Sequence, residues 1–451
     1  MSDVILFTDV NGCFGFGRYA GTYRIATELR NMNLKVQTID FCMSFTVQEI
    51  LEIIKKYITK KTKMVGISST FLVTSNNNIV DRVNMGIANT KSTSVGWNKE
   101  EFNLISNYIK KINSEIKIVV GGSKIKYDVP NVDFWVAGEG ENFIRKMFLN
   151  NNTFNFNTSK IEWNESDYIF KNEHLPIEIA RGCIFKCSFC SYNLNGKKQN
   201  DYVKSTDVVR EELISNYQKY GTTGYMFCDD TYNDTVSKVK KYYKMLSNLP
   251  FEIEFSTYMR LDLIASKPET IDMLYDSGCR SVFFGIETFN KEAGKNIGKG
   301  MDSNKIKDTL YTLKERWPET VIGAGFIAGL PHETEKSLDD TIAWLKEKDC
   351  PIDSPSLQVL SVGKNSSIGN NPFNFGIEIT NYGWKSKWTN SNRMKKIVEN
   401  TNFPILNNFT FYNRIKNLNI DKKHIKNKNY EKINEKYNIL FEQYKKLILK
   451  N

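Results

Sequence analysis

Residues 179–192 read IARGCIFKCSFCSY, which places Cys183, Cys187 and Cys190 in a C-x3-C-x2-C spacing with Phe189 just before the last thiol. Thiolates are soft ligands, and a tight group of them selects zinc, copper or iron–sulfur over hard cations. A structural zinc site takes four ligands, often as paired CxxC or as CxxC with HxxxH. Here no fourth Cys or His follows nearby, and His174, His332 and His424 are the histidines of the chain. A cubane cluster held by three thiolates leaves one iron open to a molecule carrying an amine and a carboxylate. Eight cysteines in 451 residues are too sparse for a secreted disulfide scaffold. Cys13, Cys42, Cys228, Cys279 and Cys350 are scattered and read as small buried hydrophobes.

The surroundings of the three thiols follow a rhythm. Strands are predicted near 175–180, 224–228, 252–257, 281–286, 321–327 and 356–361, with helices near 206–219, 234–247, 268–277, 303–316 and 335–348 between them. Six strand–helix repeats predict a partial barrel, whose chemistry belongs at the carboxyl ends of its strands. The cysteines lie just past the first of those ends.

The C-x3-C-x2-C stretch, its place after a strand and the barrel repeat together resemble the radical S-adenosylmethionine (SAM) enzymes, over most of residues 170–370. The resemblance implies a 4Fe-4S cluster on Cys183, Cys187 and Cys190, with SAM chelated at the open iron and cleaved reductively to methionine and a 5′-deoxyadenosyl radical. It further implies a cofactor-side position for Phe189, and Asp229 and Asp230 of YMFCDD facing the SAM ammonium. By the same resemblance Arg260 of STYMRLD suits the carboxylate, Glu287 of SVFFGIET the ribose hydroxyls, and the backbone around Ile327 and Gly329 of GAGFIAGLPHET the adenine. The last stretch departs from the family's G-x-I-x-G-x-x-E pattern, since His332 stands where the acid is expected and Glu333 falls one position late. Read without the resemblance, the carboxylates are also compatible with helix starts and surface ion pairs.

Residues 1–150 show a second parallel-sheet rhythm, with strands predicted at 4–10, 35–41, 64–70, 116–122 and 133–138, a helix near 20–32, and a Thr46/Glu49 capping box ahead of ILEIIKKYI. Such a doubly wound domain binds ligands beyond the carboxyl ends of its strands. GFGRYA (15–20) followed by Asp40 imitates a dinucleotide fingerprint, but four residues separate it from its strand. VGISSTF, the VVGG stretch and GEGE (138–141) are more similar to the cobalamin-binding domain that precedes the barrel in one radical SAM subgroup. That resemblance implies that Ser68, Ser69 and Thr70 contact the cobalamin tail while Gly121, Gly122 and Gly138 permit close backbone approach. Histidine is absent before residue 174, so no imidazole of this domain would sit below cobalt.

The fold expected is thus α/β: a Rossmann-like, cobalamin-binding type of domain over 1–150, a linker over 151–170, a partial (β/α)6 radical SAM core over 171–365 and a mostly helical extension over 366–451 that caps the barrel mouth. The net charge of +11 is uneven, because residues 401–451 hold eleven Lys or Arg against four Asp or Glu. Apolar residues at three- and four-residue spacing make that tail an amphipathic, solvated helix rather than an RNA-binding patch. Residues 71–100 read as a long irregular insert. No stretch reaches the roughly 18–20 uninterrupted apolar residues of a membrane span, and the N-terminus lacks a signal-like run, so a cytoplasmic enzyme is expected. Its function is expected to be cobalamin-dependent methylation of an unactivated carbon in a small-molecule or peptide substrate, with a reductase, flavodoxin or ferredoxin as electron donor. The alternatives are radical cyclisation or rearrangement, and a non-catalytic iron–sulfur module with a basic RNA-contacting tail.

Overall fold

In a computed structural model, residues 2–9, 17–72, 97–122, 129–150, 154–192, 194–198, 202–363, 366–401, 403 and 430–450 are described. Most of the expected 71–100 insert, Cys13, and Gly15 of the dinucleotide-like stretch lie outside them. The chain divides into two compact units, the first made of 1–177, 211–224 and 413–451, the second of 178–210 and 225–412.

The first unit is built on a five-stranded sheet of β1 (Val4–Phe7), β2 (Val36–Ile39), β3 (Met64–Ser68), β4 (Lys117–Gly121) and β5 (Phe134–Val136), ordered 2-1-3-4-5. All its pairings are parallel. β1 is buried along its whole length, as a strand covered by helices on both faces must be. The expected capping box forms: Thr46 accepts from the Glu49 N–H and Glu49 accepts from the Thr46 N–H, starting the helix Val47–Tyr57. That helix buries Ile50, Ile53, Ile54 and Tyr57, each contributing about 1.5–3 kcal/mol. The same apolar cluster takes in the final helix, Tyr430–Lys450, through Phe441, Tyr444 and Ile448. Phe441 and Tyr444 meet Phe45 and Phe41 edge-on at 5.1 Å each. Tyr57 donates from its hydroxyl to the Ile448 carbonyl at 3.0 Å. The amphipathic pattern of the tail therefore has a partner inside this unit. The expectation that the extension as a whole caps the barrel differs here, because the last helix completes the core of the first sheet.

The second unit carries β7 (Gly224–Cys228), β8 (Glu254–Met259), β9 (Cys279–Glu287), β10 (Val321–Ala328) and β11 (Ser354–Val359). β6 (Leu175–Glu178) joins at the edge of a six-stranded sheet ordered 11-10-9-8-7-6. The strands run in chain order across the sheet, the signature of an open (β/α) barrel. β10, VIGAGFIA, is an almost continuous apolar run, and its parallel partners β9 and β11 shield it on both sides. A hairpin of β12 (Ile377–Thr380) and β13 (Gly383–Ser386) and the helix Ser391–Thr401 follow.

Candidate active site

The loop after β6 carries the three thiols, all free and half-buried. It folds back on residues 194–196: the Cys183 N–H donates to the Leu194 carbonyl at 3.3 Å and the Gly196 N–H to the Cys183 carbonyl at 2.6 Å. Gly182 makes that return possible, with φ of 75° and a hypothetical Cβ only 2.2 Å from the Leu194 Cβ. The Cys190 N–H donates to the Cys187 carbonyl at 3.0 Å, so the second and third thiols share one tight turn. Burial, the larger cause, pushes the Cys183 and Cys190 thiols up, with the Cys187 sulfur adding to both. Among the described residues no three His, Cys, Asp or Glu side chains converge as ligands of a single ion. A cubane distributes its thiolates over different irons, so a set of separate soft donors on one loop fits it.

Two groups from other strand ends touch the thiols. Arg260, at the end of β8, donates from Nη1 to Cys187 Sγ at 3.4 Å and lies over the Phe185 ring at 4.0 Å. Its other nitrogens grip Asp262 at 3.0 and 2.5 Å, which holds that carboxyl below its usual range against the effect of burial. Thr231, at the end of β7, places Oγ1 3.1 Å from Cys183 Sγ. Sequence reading missed Thr231, because a lone threonine in a turn carries no spacing signal.

The two aspartates expected together have separate roles. Asp229 is buried and salt-bridged to Lys238 at 3.0 Å. Asp230 is half-buried and accepts from the Gly182 N–H, and burial, then Asp229, pushes its carboxyl up to about 6. Glu287, the last residue of β9, has a left-handed backbone with φ of 71°, a strained conformation for a non-glycine residue. Its Oε1 accepts from Lys299 at 3.2 Å, and Lys299 also reaches the Gly285 carbonyl. Phe189 is half-buried, as is Ile327 on β10. Gly329 has φ of 90°, and a Cβ there would lie 2.4 Å from Trp384, so its glycine is required by the protein's own packing.

Glu333, the acid displaced by one position, is buried all the same. It accepts from the Thr288 hydroxyl at 2.8 Å and the Gly329 N–H at 2.9 Å. His332 absorbs the extra residue in a left-handed turn, φ 70°, with its ring 4.5 Å from Trp388. Burial pushes Glu333 up to about 7, and burial likewise pushes Asp40 in the first unit to about 7. Both folded pKa values lie above the unfolded ones, so this stability is fully present below about pH 4 and is lost as pH rises through about 7. The thermal midpoint is expected to fall between pH 5 and pH 8, and Glu333→Gln is expected to reduce that fall. An equal fall in the variant, measured by circular dichroism, contradicts the assignment.

In the first unit, the carboxyl ends of β1 and β3 bring the expected serines and threonine together. Ser68 Oγ and Thr70 Oγ1 lie 2.8 Å apart, and Thr70 donates to the Asp9 carbonyl at 2.7 Å. Ser69 Oγ is buried without a hydrogen-bond partner among the described residues, and a Cβ on Gly122 would approach it to 2.6 Å. Gly121 meets only ordinary contacts and Gly138 opens onto free space. Asp40, the acid of the dinucleotide-like pattern, is wholly buried and accepts from the Tyr23 hydroxyl at 3.0 Å, so it belongs to the core.

A barrel with three thiols on its first loop and charged groups at the next strand ends defines a class. Residues 177–345 match the family model of the Radical SAM superfamily. The chain is 25% identical over 285 residues to an uncharacterized methyltransferase of Pyrococcus horikoshii, covering 54% of this chain and 61% of that one. It thus spans about three fifths of the length of the curated relatives it matches. Among solved structures it is similar to the radical SAM methyltransferase TsrM from Kitasatospora setae with cobalamin and a 4Fe-4S cluster bound, at a TM-score of 0.57 and 14% identity, over 82% of this chain and 77% of that one. It is also similar to the cobalamin-dependent SAM radical enzyme OxsB with aqua-cobalamin and SAM bound, at a TM-score of 0.54 and 14% identity, over 82% and 56%. These likenesses support the α/β fold, a doubly wound parallel sheet followed by a barrel-type parallel sheet. Among the described residues no helix is long and apolar enough to cross a membrane.

Proposed function

We propose that this chain is a cobalamin-dependent radical SAM methyltransferase acting on an unactivated carbon of a small-molecule or peptide substrate. The observation that carries the reading is the loop of Cys183, Cys187 and Cys190, with Arg260 donating to the Cys187 sulfur and the Thr231 hydroxyl within hydrogen-bond distance of the Cys183 sulfur. Three thiolates suit a 4Fe-4S cluster, which when bound supplies a site for SAM and the electron that cleaves it to methionine and a 5′-deoxyadenosyl radical.

The protein's own residues do the positioning. Cys183, Cys187 and Cys190 hold the cluster, and Asp230, half-buried beside the loop, presents a carboxylate to the SAM ammonium. Phe189, within the loop between Cys187 and Cys190, would flank the cluster. Glu287, now held by Lys299, would accept from ribose hydroxyls, and backbone at Ile327 and Gly329 would lie against adenine. Arg260 serves the cluster side first, because Asp262 already occupies two of its nitrogens. An external flavodoxin- or ferredoxin-like donor brings the electron.

For cobalamin, the unpartnered Ser69 hydroxyl beside Gly122, with Ser68 and Thr70, supplies polar groups and close approach at the ends of β3 and β4. TsrM and OxsB have been solved with cobalamin bound, which supports the same reading here. Protein purified from cells grown with the vitamin is expected to show a cobalamin absorption spectrum at about one equivalent, weakened in Ser69→Leu. An equally cobalamin-free protein under those conditions leaves radical SAM cyclisation or rearrangement as the function.

A further inference from the structure

The turn after β7 is held from beneath by one buried ammonium. Lys238 donates to Asp229 Oδ2 at 3.0 Å and to the Thr231 carbonyl at 3.0 Å, and pairs with Asp234 at 2.8 Å. Asp229 Oδ1 accepts from the Thr231 N–H at 2.9 Å. Thr231 is therefore fixed through both of its backbone groups. Its Oγ1 stands 3.1 Å from Cys183 Sγ and donates to the Asp230 carbonyl at 2.6 Å.

A threonine hydroxyl has one hydrogen. While Cys183 is a thiol, its S–H donates to Oγ1, and Oγ1 donates onward to the Asp230 carbonyl. Once Cys183 is a thiolate ligand, the threonine hydrogen is the one left between the two atoms, and it turns to the sulfur. Cys187 receives its own charged donor from Arg260 at 3.4 Å.

We propose that the Thr231 hydroxyl, held in place by Lys238 and Asp229, sets the reduction potential of the cluster by donating a hydrogen bond to the Cys183 thiolate. The inference rests on the cluster reading above. Reduction adds one electron to a cluster ringed by anionic sulfurs, and a donor to a sulfur stabilises the more negative state, which raises the potential. Thr231 is a positioning and tuning residue that touches a ligand rather than SAM.

The test is an anaerobic redox titration with titanium(III) citrate, followed by the electron paramagnetic resonance of the reduced cluster, on reconstituted full-length protein. Thr231→Val is expected to keep its iron while its reduced-to-oxidised ratio at a fixed potential falls roughly tenfold, a shift of about 59 mV for a one-electron couple. Thr231→Ser keeps the hydroxyl and is expected to titrate with the parent. A Val variant that titrates with the parent overturns the proposal. So does loss of iron from both Thr231→Val and Thr231→Ala with Ser intact, since the hydroxyl would then hold the cluster rather than tune it. A parent protein without iron or signal defeats the cluster reading itself, and that is visible before any variant is compared.

Discussion

Cys187→Ala is expected to take the anaerobically reconstituted protein from about four irons per chain to less than one, with the far-ultraviolet spectrum unchanged. Three thiolates are the minimum for a cubane with one open iron, and Cys187 is the middle thiol of the loop, tied by backbone to Cys190 and by side chain to Arg260. Removing it leaves two sulfurs on a loop with no His among the described contacts of the site to take its place. The loop itself should persist, because its closure runs through Gly182, Cys183 and Gly196 rather than through the Cys187 sulfur. Full retention of iron in the variant, by inductively coupled plasma or colorimetric assay, contradicts this ligand set.

Arg18→Ala is expected to be the most destabilising single change in the first unit. The side chains of Arg18 and Glu173 are 0% and 2% exposed, and Nε meets Oε1 at 2.7 Å. The guanidinium also donates to the Tyr23 hydroxyl and to the carbonyls of Asp167 and Tyr168, and it lies 5.2 Å from the Tyr444 ring of the last helix. Removing one partner of a buried pair strands the other charge, at a cost of about 3–5 kcal/mol. For a unit of this size that corresponds to a thermal midpoint lower by roughly 10 °C. The helix Tyr430–Lys450 should also become sensitive to limited proteolysis, since Arg18 and Tyr444 pack on each other. A midpoint within about 2 °C of the parent, measured by calorimetry, overturns the assignment.

Much of this was legible in the sequence because it is periodic. Each predicted strand has a counterpart, within a few residues, in β1 to β11, since buried parallel strands are continuous apolar runs between helices of regular length. The Thr46/Glu49 box and the three-thiol spacing are local patterns, read directly from neighbouring residues. What stayed hidden depends on pairs far apart in the chain. Arg18 meets Glu173 across 155 residues, and Thr231 meets Cys183 across 48, with no repeat to announce either. Asp229 and Asp230 look equivalent in sequence, yet alternation along the end of β7 sends one down to Lys238 and leaves the other beside the cysteine loop. The late position of Glu333 looked like a departure, but a left-handed residue at His332 absorbs one position and lets the carboxylate brace Gly329 and Thr288.

The loop of Cys183, Cys187 and Cys190 is proposed to support reductive cleavage of SAM. The most direct measurement is the formation of 5′-deoxyadenosine, by liquid chromatography and mass spectrometry, when anaerobically reconstituted, reduced protein is incubated with SAM. 5′-Deoxyadenosine is expected from the parent and none from Cys187→Ala. Intact SAM in the presence of a cluster shown by its resonance to be reduced would contradict it.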